Sequence, residues 1–301
     1  MRHKIIQIIL LSVVFIYLFH GFDIKKIDFN KFSFFGMLTT FVMIFISQLI
    51  LSLRWMKMSN LSFKVSFETI IVSSVLNMIL PAKLGELSKA LYLKKFYKYN
   101  YHRTLSIIFV ERFLDVIMLF LLLCIWAYDY TLSDAIKSSL LILSVFIIII
   151  VFFFNSLKTL QYIKKIPLRF VRIYLQKIYK IVHKMFKAPL SLSFYTVLLW
   201  LAYFFGTYLF FAYAVHFHLN IMTILGLFIF STIALALPLA PAGVGTYEAA
   251  VVFYLSAYGV SKEDALLAAT IYHILLFAVD FLLLYFFLLY KNIKFKELVQ
   301  Q

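Results

Sequence analysis

The sequence predicts an all-α polytopic membrane protein with about six spanning helices and two opposed re-entrant helical hairpins, arranged as the inverted repeat of a transporter. Three observations lead there. The chain of 301 residues is 64% apolar with a mean hydropathy of +0.97, far above the roughly 45–50% apolar content of soluble domains. Two apolar runs end in helix-breaking stretches, Leu80-Pro-Ala-Lys-Leu-Gly-Glu86 and Leu235-Ala-Leu-Pro-Leu-Ala-Pro-Ala-Gly-Val-Gly-Thr-Tyr-Glu248. Both breaks contain Pro-Ala-x-x-Gly, and both reach a glutamate. The third observation is how the basic residues fall between the apolar runs.

A spanning helix needs about 20 apolar residues. Candidates are Lys4–Phe19, Phe34–Leu53, Thr104–Tyr128, Lys137–Phe154, Leu190–Val215 and Ala265–Tyr290. Met1–Lys4 followed by Ile5–Phe19 has the outline of a signal sequence. The bulky Tyr17–His20 offers no small-residue cleavage site, so a retained first helix is expected. Phe67–Leu80 and Met222–Leu237 run straight into the breaks, at Pro81 and Gly85 and at Pro238 and Pro241. Proline removes a backbone donor and glycine weakens a helix. Broken backbone at membrane depth is tolerated only where protein or an aqueous cavity covers it.

Charge decides whether these two runs cross or turn back. If both turn back and the N-terminus is cytoplasmic, 23 of the 29 Lys and Arg are cytoplasmic, five are outside and Arg112 is intramembrane. If the first run crosses, the clusters Lys83–Arg103 and Lys158–Lys187 both move outside, against the positive-inside rule. Turning back is favoured, with both termini cytoplasmic. One integral membrane domain is then expected over 1–301, with inverted halves at about 1–128 and 137–290. Such halves, meeting at broken helices, are a transporter signature.

The formal charge of +16 encodes topology and attraction to anionic headgroups. Nucleic-acid binding is not expected, since the charge lies between apolar spans. Residues 156–189 form a basic linker. Lys165, Arg169, Arg172, Lys180, Lys184 and Lys187 face away from a stripe of Val171, Leu175, Ile178, Val182 and Met185, which describes an amphipathic helix on the cytoplasmic leaflet. The single Cys124 excludes an internal disulfide and a Cys-based metal site. His216 and His218 lack acidic partners nearby, and neither metal nor cofactor is expected. No Gly-x-x-x-x-Gly-Lys-Ser/Thr, Asp-x-Asp, Gly-x-Ser-x-Gly or His-Glu-x-x-His occurs, so the motif-borne enzyme classes are disfavoured.

Glu111-Arg112-x-x-Asp115 stands two to three turns inside its helix, at a depth of about 10–17 Å. Each such charge costs about 2.5–3.5 kcal/mol to insert, which argues against facing lipid. Glu111 and Asp115 share a face, and Arg112 can pair with Asp115. The cluster is either an internal ion pair or the polar wall of a headgroup or proton path, with Lys83 or Arg54 balancing the second carboxylate. Glu86 and Glu248 follow the two breaks as first-turn residues, where the helix dipole favours an anion. The same helix starts, with the amides of Gly243 and Gly245, could receive a phosphate oxygen. Asp280 follows His273 by two turns on one face, suiting a buried pair, a contact with the second break, or proton transfer.

Taken together, Arg54-Trp55, Leu80-Pro-Ala-Lys-Leu-Gly-Glu86, Glu111-Arg112-x-x-Asp115 and Pro241-Ala-Gly-Val-Gly-Thr-Tyr-Glu248 resemble, in this order, the flippase-like membrane domain of lysylphosphatidylglycerol synthases. The likeness spans nearly the whole chain. In two-domain members that part moves an aminoacylated phospholipid between leaflets, while a separate soluble domain makes it. No such soluble stretch occurs here, so synthesis is not implied. The resemblance implies a multi-pass protein of the inner membrane that translocates a phospholipid or lipid-linked headgroup, anionic or aminoacylated. Two positions depart from the family pattern, in which an arginine stands near Ser88 or Lys89 and another near His273; a changed headgroup preference would follow. A membrane-embedded transferase, with Glu111 or Asp115 as base, and an accessory protein of lipid or glycolipid synthesis remain the alternatives. Self-association or pairing with a lipid-synthesis enzyme is compatible with each.

Overall fold

In the computed structural model, residues 12, 14, 16–20, 23, 32–80, 85–129, 157–187, 189–237 and 239–292 are described. They are helical, with no strand among them. In chain order the helices are α1 (Phe34–Ser59), α2 (Phe63–Ile79), α3 (Gly85–Tyr97), α4 (Tyr101–Asp129), α5 (Leu157–Lys164), α6 (Arg169–Lys187), α7 (Pro189–Leu209), α8 (Ile221–Ala236), α9 (Thr246–Ser256) and α10 (Lys262–Lys291). The candidate Lys137–Phe154, most of Lys4–Phe19, and the break residues Pro81, Lys83 and Pro238 lie outside the described residues.

Three segments are long and apolar enough to cross a membrane, among the described residues. These are Phe34–Ser59, Leu192–Ala214 and Lys262–Lys291. At 1.5 Å per residue each exceeds the roughly 30 Å hydrocarbon core. α7 runs into a π-helical turn at Phe210–Ala214. α4 has 29 residues and carries Glu111, Arg112 and Asp115.

Helix ends follow local chemistry. The side chain of Asn220 accepts from the Thr223 amide at 2.7 Å and caps α8. Ser261 accepts from the Asp264 amide at 3.1 Å and caps α10, with Glu263 and Asp264 in the first turn. Acceptor side chains at this position satisfy amides that the helix leaves open. Asn292, at φ 52°, ends α10 in the left-handed conformation, a usual stop.

The chain divides into two packed units that interleave along the sequence. The first comprises Met1–Leu49, Glu68–Ser88 and Leu201–Gln301; the second comprises Ile50–Phe67 and Lys89–Trp200. In the first unit α8 and α9 pack against each other and α9 packs on α10. Phe230 of α8 meets Tyr254 of α9 with ring centroids 5.3 Å apart. The chain therefore reverses between α8 and α9, across Leu237–Gly245.

It reverses earlier too. The Ser73 hydroxyl donates to the Gly85 carbonyl at 3.0 Å and Asn77 Nδ2 donates to Glu86 Oε1 at 3.1 Å. α3 thus begins against the last turns of α2. A Cβ on Gly85 would collide with the backbone of Asn77, so only glycine permits this approach.

In the second unit α6 packs on α4, with His102 Nδ1 and the Tyr174 hydroxyl 2.9 Å apart. Ile178, expected on the lipid-facing stripe, is buried at 8% exposure, whereas Val171 is 38% exposed. Part of the stripe therefore rests on protein. Near the start of α4, the Tyr99 hydroxyl donates to the Ser59 carbonyl at 2.6 Å. Burial raises that phenol above its ordinary range, against the opposing pull of the Arg103 cation.

Candidate functional site

Among the described residues, each unit holds a buried polar constellation. In the second unit, Arg54 on the penultimate turn of α1 reaches two carboxylates of α4. Its Nη1 donates to Asp115 Oδ1 at 2.7 Å and its Nη2 to Glu111 Oε1 at 3.0 Å. Lys89, in the second turn of α3, donates to Glu111 Oε2 at 2.7 Å. Arg112 lies 3.4 Å from Glu111 Oε1 and 3.3 Å from Asp115 Oδ2. Trp200 Nε1 donates to Asp115 Oδ1 at 3.3 Å, and the Lys89 ammonium sits 4.8 Å over the Trp55 ring.

Glu111 is fully buried, Arg54 is 1% and Lys89 2% exposed, and Arg112 is 44% exposed. A charge so buried requires pairing and hydrogen bonds to offset its desolvation. Among the described residues, three cations face two carboxylates. Of the two alternatives the sequence offers for the balancing cation, Arg54 fills the role, while Lys83 lies outside the described residues. The second balancing cation is Lys89. Both it and Arg54 are buried in this network. The available signal was arithmetic: two carboxylates beside one arginine call for a further cation, without saying which.

The first unit holds the second break. Pro241–Gly243 forms a single 3₁₀ turn, with Ala242 at φ 55°, Gly243 at φ 78° and Gly245 at φ 84°. Three positive-φ residues in four interrupt the α-helical path between α8 and α9. Glu248, in the first turn of α9, accepts from the Gly245 amide through Oε2 at 2.6 Å. Glu86 holds the same first-turn place in α3. Glu248 Oε1 lies 2.7 Å from His273 Nδ1, and His273 Nε2 lies 3.1 Å from the Ala242 carbonyl. A carbonyl only accepts, so Nε2 carries a hydrogen. A second proton then lies between Nδ1 and the carboxylate. His273 is thus engaged with the second break, not with Asp280.

Asp280 accepts from Gln48 Nε2 of α1 at 2.8 Å. Next to it lies a cavity of about 310 Å³. Its wall includes Ser74, Asn77 and Met78 at the end of α2, Leu235, Leu237, Ala240, Ala242 and Gly243 around the second break, Tyr203 of α7, and His273, Leu276, Phe277 and Asp280 of α10. The helix leading into the first break and the backbone of the second therefore line one space. Among the described residues, no group of three His, Cys, Asp or Glu could hold a metal ion. Gln48 and Asn77 were not singled out from the sequence, because an amide in an apolar helix carries no periodic signal.

Gly243→Ala is expected to destabilise the protein by about 1–2 kcal/mol, the cost of left-handed backbone with a side chain. The added Cβ would also stand 2.8 Å from Leu235 Cδ2. A lowered unfolding midpoint of the purified protein in detergent checks this; an unchanged midpoint would mean that the break relaxes freely.

Comparison with known proteins agrees with this architecture. The family model for the lysylphosphatidylglycerol synthase TM region matches residues 4–283. The UPF0104 membrane protein MJ1078 of Methanocaldococcus jannaschii is 27% identical over 209 residues, covering 66% of this chain and 87% of that protein. No solved structure matches the chain. With nearly its full length matched, this chain is a multi-pass membrane protein belonging to the lysylphosphatidylglycerol synthase TM-region family.

Proposed function

We propose that the chain carries a phospholipid or lipid-linked headgroup between membrane leaflets. The observation that carries the reading is the cavity of about 310 Å³ beside both chain reversals of the first unit. Its wall combines broken backbone with Asn77, His273 and Asp280, while Leu235, Leu237, Leu276 and Phe277 supply the apolar remainder. A polar headgroup finds partners there, and acyl chains remain in the bilayer. In this reading the two reversals are re-entrant hairpins entering from opposite leaflets, which the charge bias of the sequence supports.

The carboxylates Glu111 and Glu248 hold neighbouring groups in place instead of waiting for a cationic ligand. The half-exposed guanidinium of Arg112 suits the phosphate of an anionic lipid. The basic α6 adds attraction to anionic headgroups at the cytoplasmic face.

The test uses the full chain reconstituted into phosphatidylethanolamine–phosphatidylglycerol vesicles containing a fluorescent phosphatidylglycerol. Dithionite added outside quenches probe in the outer leaflet. Protein-containing vesicles should lose fluorescence well beyond the outer-leaflet share, and protein-free vesicles should not. Equal quenching in both, repeated with fluorescent phosphatidylethanolamine and an aminoacylated lipid, would sink the reading.

A further inference from the structure

Asp280 is 7% exposed and belongs to α10, one of the segments long enough to cross the membrane. Its hydrogen-bond partner is the neutral amide of Gln48. Among the described residues no Lys, Arg or His side chain forms an ion pair with it, although His273 stands two turns away on the same helix. His273 is already bonded on both ring nitrogens, to Glu248 and to the Ala242 carbonyl. Asp280 therefore differs from Glu111, which has three cationic neighbours, and from Glu248, which has His273. An ionised carboxylate buried without a cation is costly, and the usual resolution is to take up a proton.

The surroundings select a proton over a metal cation. A hard cation needs about six oxygen ligands, whereas Gln48 presents an N–H to the carboxylate. The same amide, turned over, offers its carbonyl oxygen to an Asp280 O–H, so it can partner both states of the acid. Among the described residues, the titratable groups that share the walls of Asp280's two adjoining cavities are His273, Tyr203 and Tyr272, with Glu248 behind His273. Facing it from α1 is Gln48; from α2, the cavity wall presents Ser74 and Asn77. Among the described residues, none of those lining the two cavities is Lys or Arg.

We propose that Asp280 holds an exchangeable proton in this cavity, and that one proton passes through it for each lipid carried. The coupling rests on the translocation reading above. In each cycle the Asp280 O–H bond breaks and the proton leaves to water on one side of the membrane. A proton from water on the other side restores the acid, so charge and atoms balance without a co-reactant. An intramembrane carboxylate is a common proton relay in transporters; the buried setting, the single neutral partner and the cavity are what assign it here.

Two measurements test the proposal on the full chain. Infrared difference spectra of the purified protein at neutral pH should show a carboxylic-acid C=O stretch that shifts in heavy water. The band should be lost in Asp280→Asn and retained, displaced, in Asp280→Glu. Its absence from wild type, or its survival in Asp280→Asn, overturns the proton site whether or not lipid moves. In vesicles with membrane potential clamped, a gradient of one pH unit should shift the leaflet ratio of fluorescent phosphatidylglycerol by about tenfold at one proton per lipid. Asp280→Asn should lose that shift, and Asp280→Glu should keep part of it. Wild type that moves lipid with no response to the gradient overturns the coupling and leaves translocation standing. Wild type that moves no lipid overturns translocation and the coupling together, while the infrared band still decides the proton site.

Discussion

Glu111→Gln should destabilise the protein by about 3–5 kcal/mol, the usual cost of breaking a buried ion pair from one side. Glu111 is fully buried and receives Arg54 Nη2 at 3.0 Å and Lys89 Nζ at 2.7 Å, with Arg112 at 3.4 Å. Removing its charge leaves Arg54 and Lys89 buried with Asp115 as the remaining carboxylate. Lys89 then retains the face of Trp55, 4.8 Å away, worth about 2 kcal/mol at best. The purified variant in detergent should unfold at a much lower temperature than wild type. Adding Lys89→Met to Glu111→Gln should recover part of the loss, because the orphaned ammonium is then gone. The two changes share a partner, so they should be strongly non-additive. A loss below about 1 kcal/mol, typical of an exposed pair, would show that water reaches the network.

Gly85→Ala should cost about 2–3 kcal/mol, at the upper end of ordinary overpacking. The new Cβ would stand 2.5 Å from Asn77 Cα and closer still to its amide nitrogen. Backbone cannot rotate aside as a side-chain tip can. The start of α3 must withdraw from α2, taking with it the Ser73–Gly85 and Asn77–Glu86 hydrogen bonds. Asn77 also lines the cavity, so lipid movement should fall together with the unfolding midpoint. Gly259→Ala is the control: nothing lies within 4 Å of its Cβ position, although φ is +78°. Its cost should be limited to backbone strain, about 1–2 kcal/mol. Equal effects at the two glycines would remove the close-packing argument for Gly85.

Much of this was legible in the sequence because it depends on short-range chemistry. Prolines and glycines at 81–85 and 238–245 interrupt apolar runs wherever they occur, and a glutamate after such a break joins the next helix start. Glu86 and Glu248 occupy first turns for that reason. The four-residue spacing of Glu111 and Asp115 places both on one face of α4, and one guanidinium bridges them. The resemblance carried by these motifs agrees with the family match over residues 4–283.

What the sequence left open was which charge meets which. Lys89 reads as one more lysine of a basic cytoplasmic run, since its burial depends on where α3 packs, 22 residues before Glu111. Arg54 stands beside Lys83 as an equal candidate for the same reason. His273 and Asp280 share a face of α10, and spacing alone invites pairing them. Packing separates their roles: α9 brings Glu248 and the Ala242 carbonyl to His273, and α1 brings Gln48 to Asp280. Composition and periodicity thus determined the membrane-helical class, the breaks and the intramembrane charges. Only the tertiary structure decided the partners, because a buried charge is stabilised by whichever group lies nearest in space, and sequence distance carries almost no information about that.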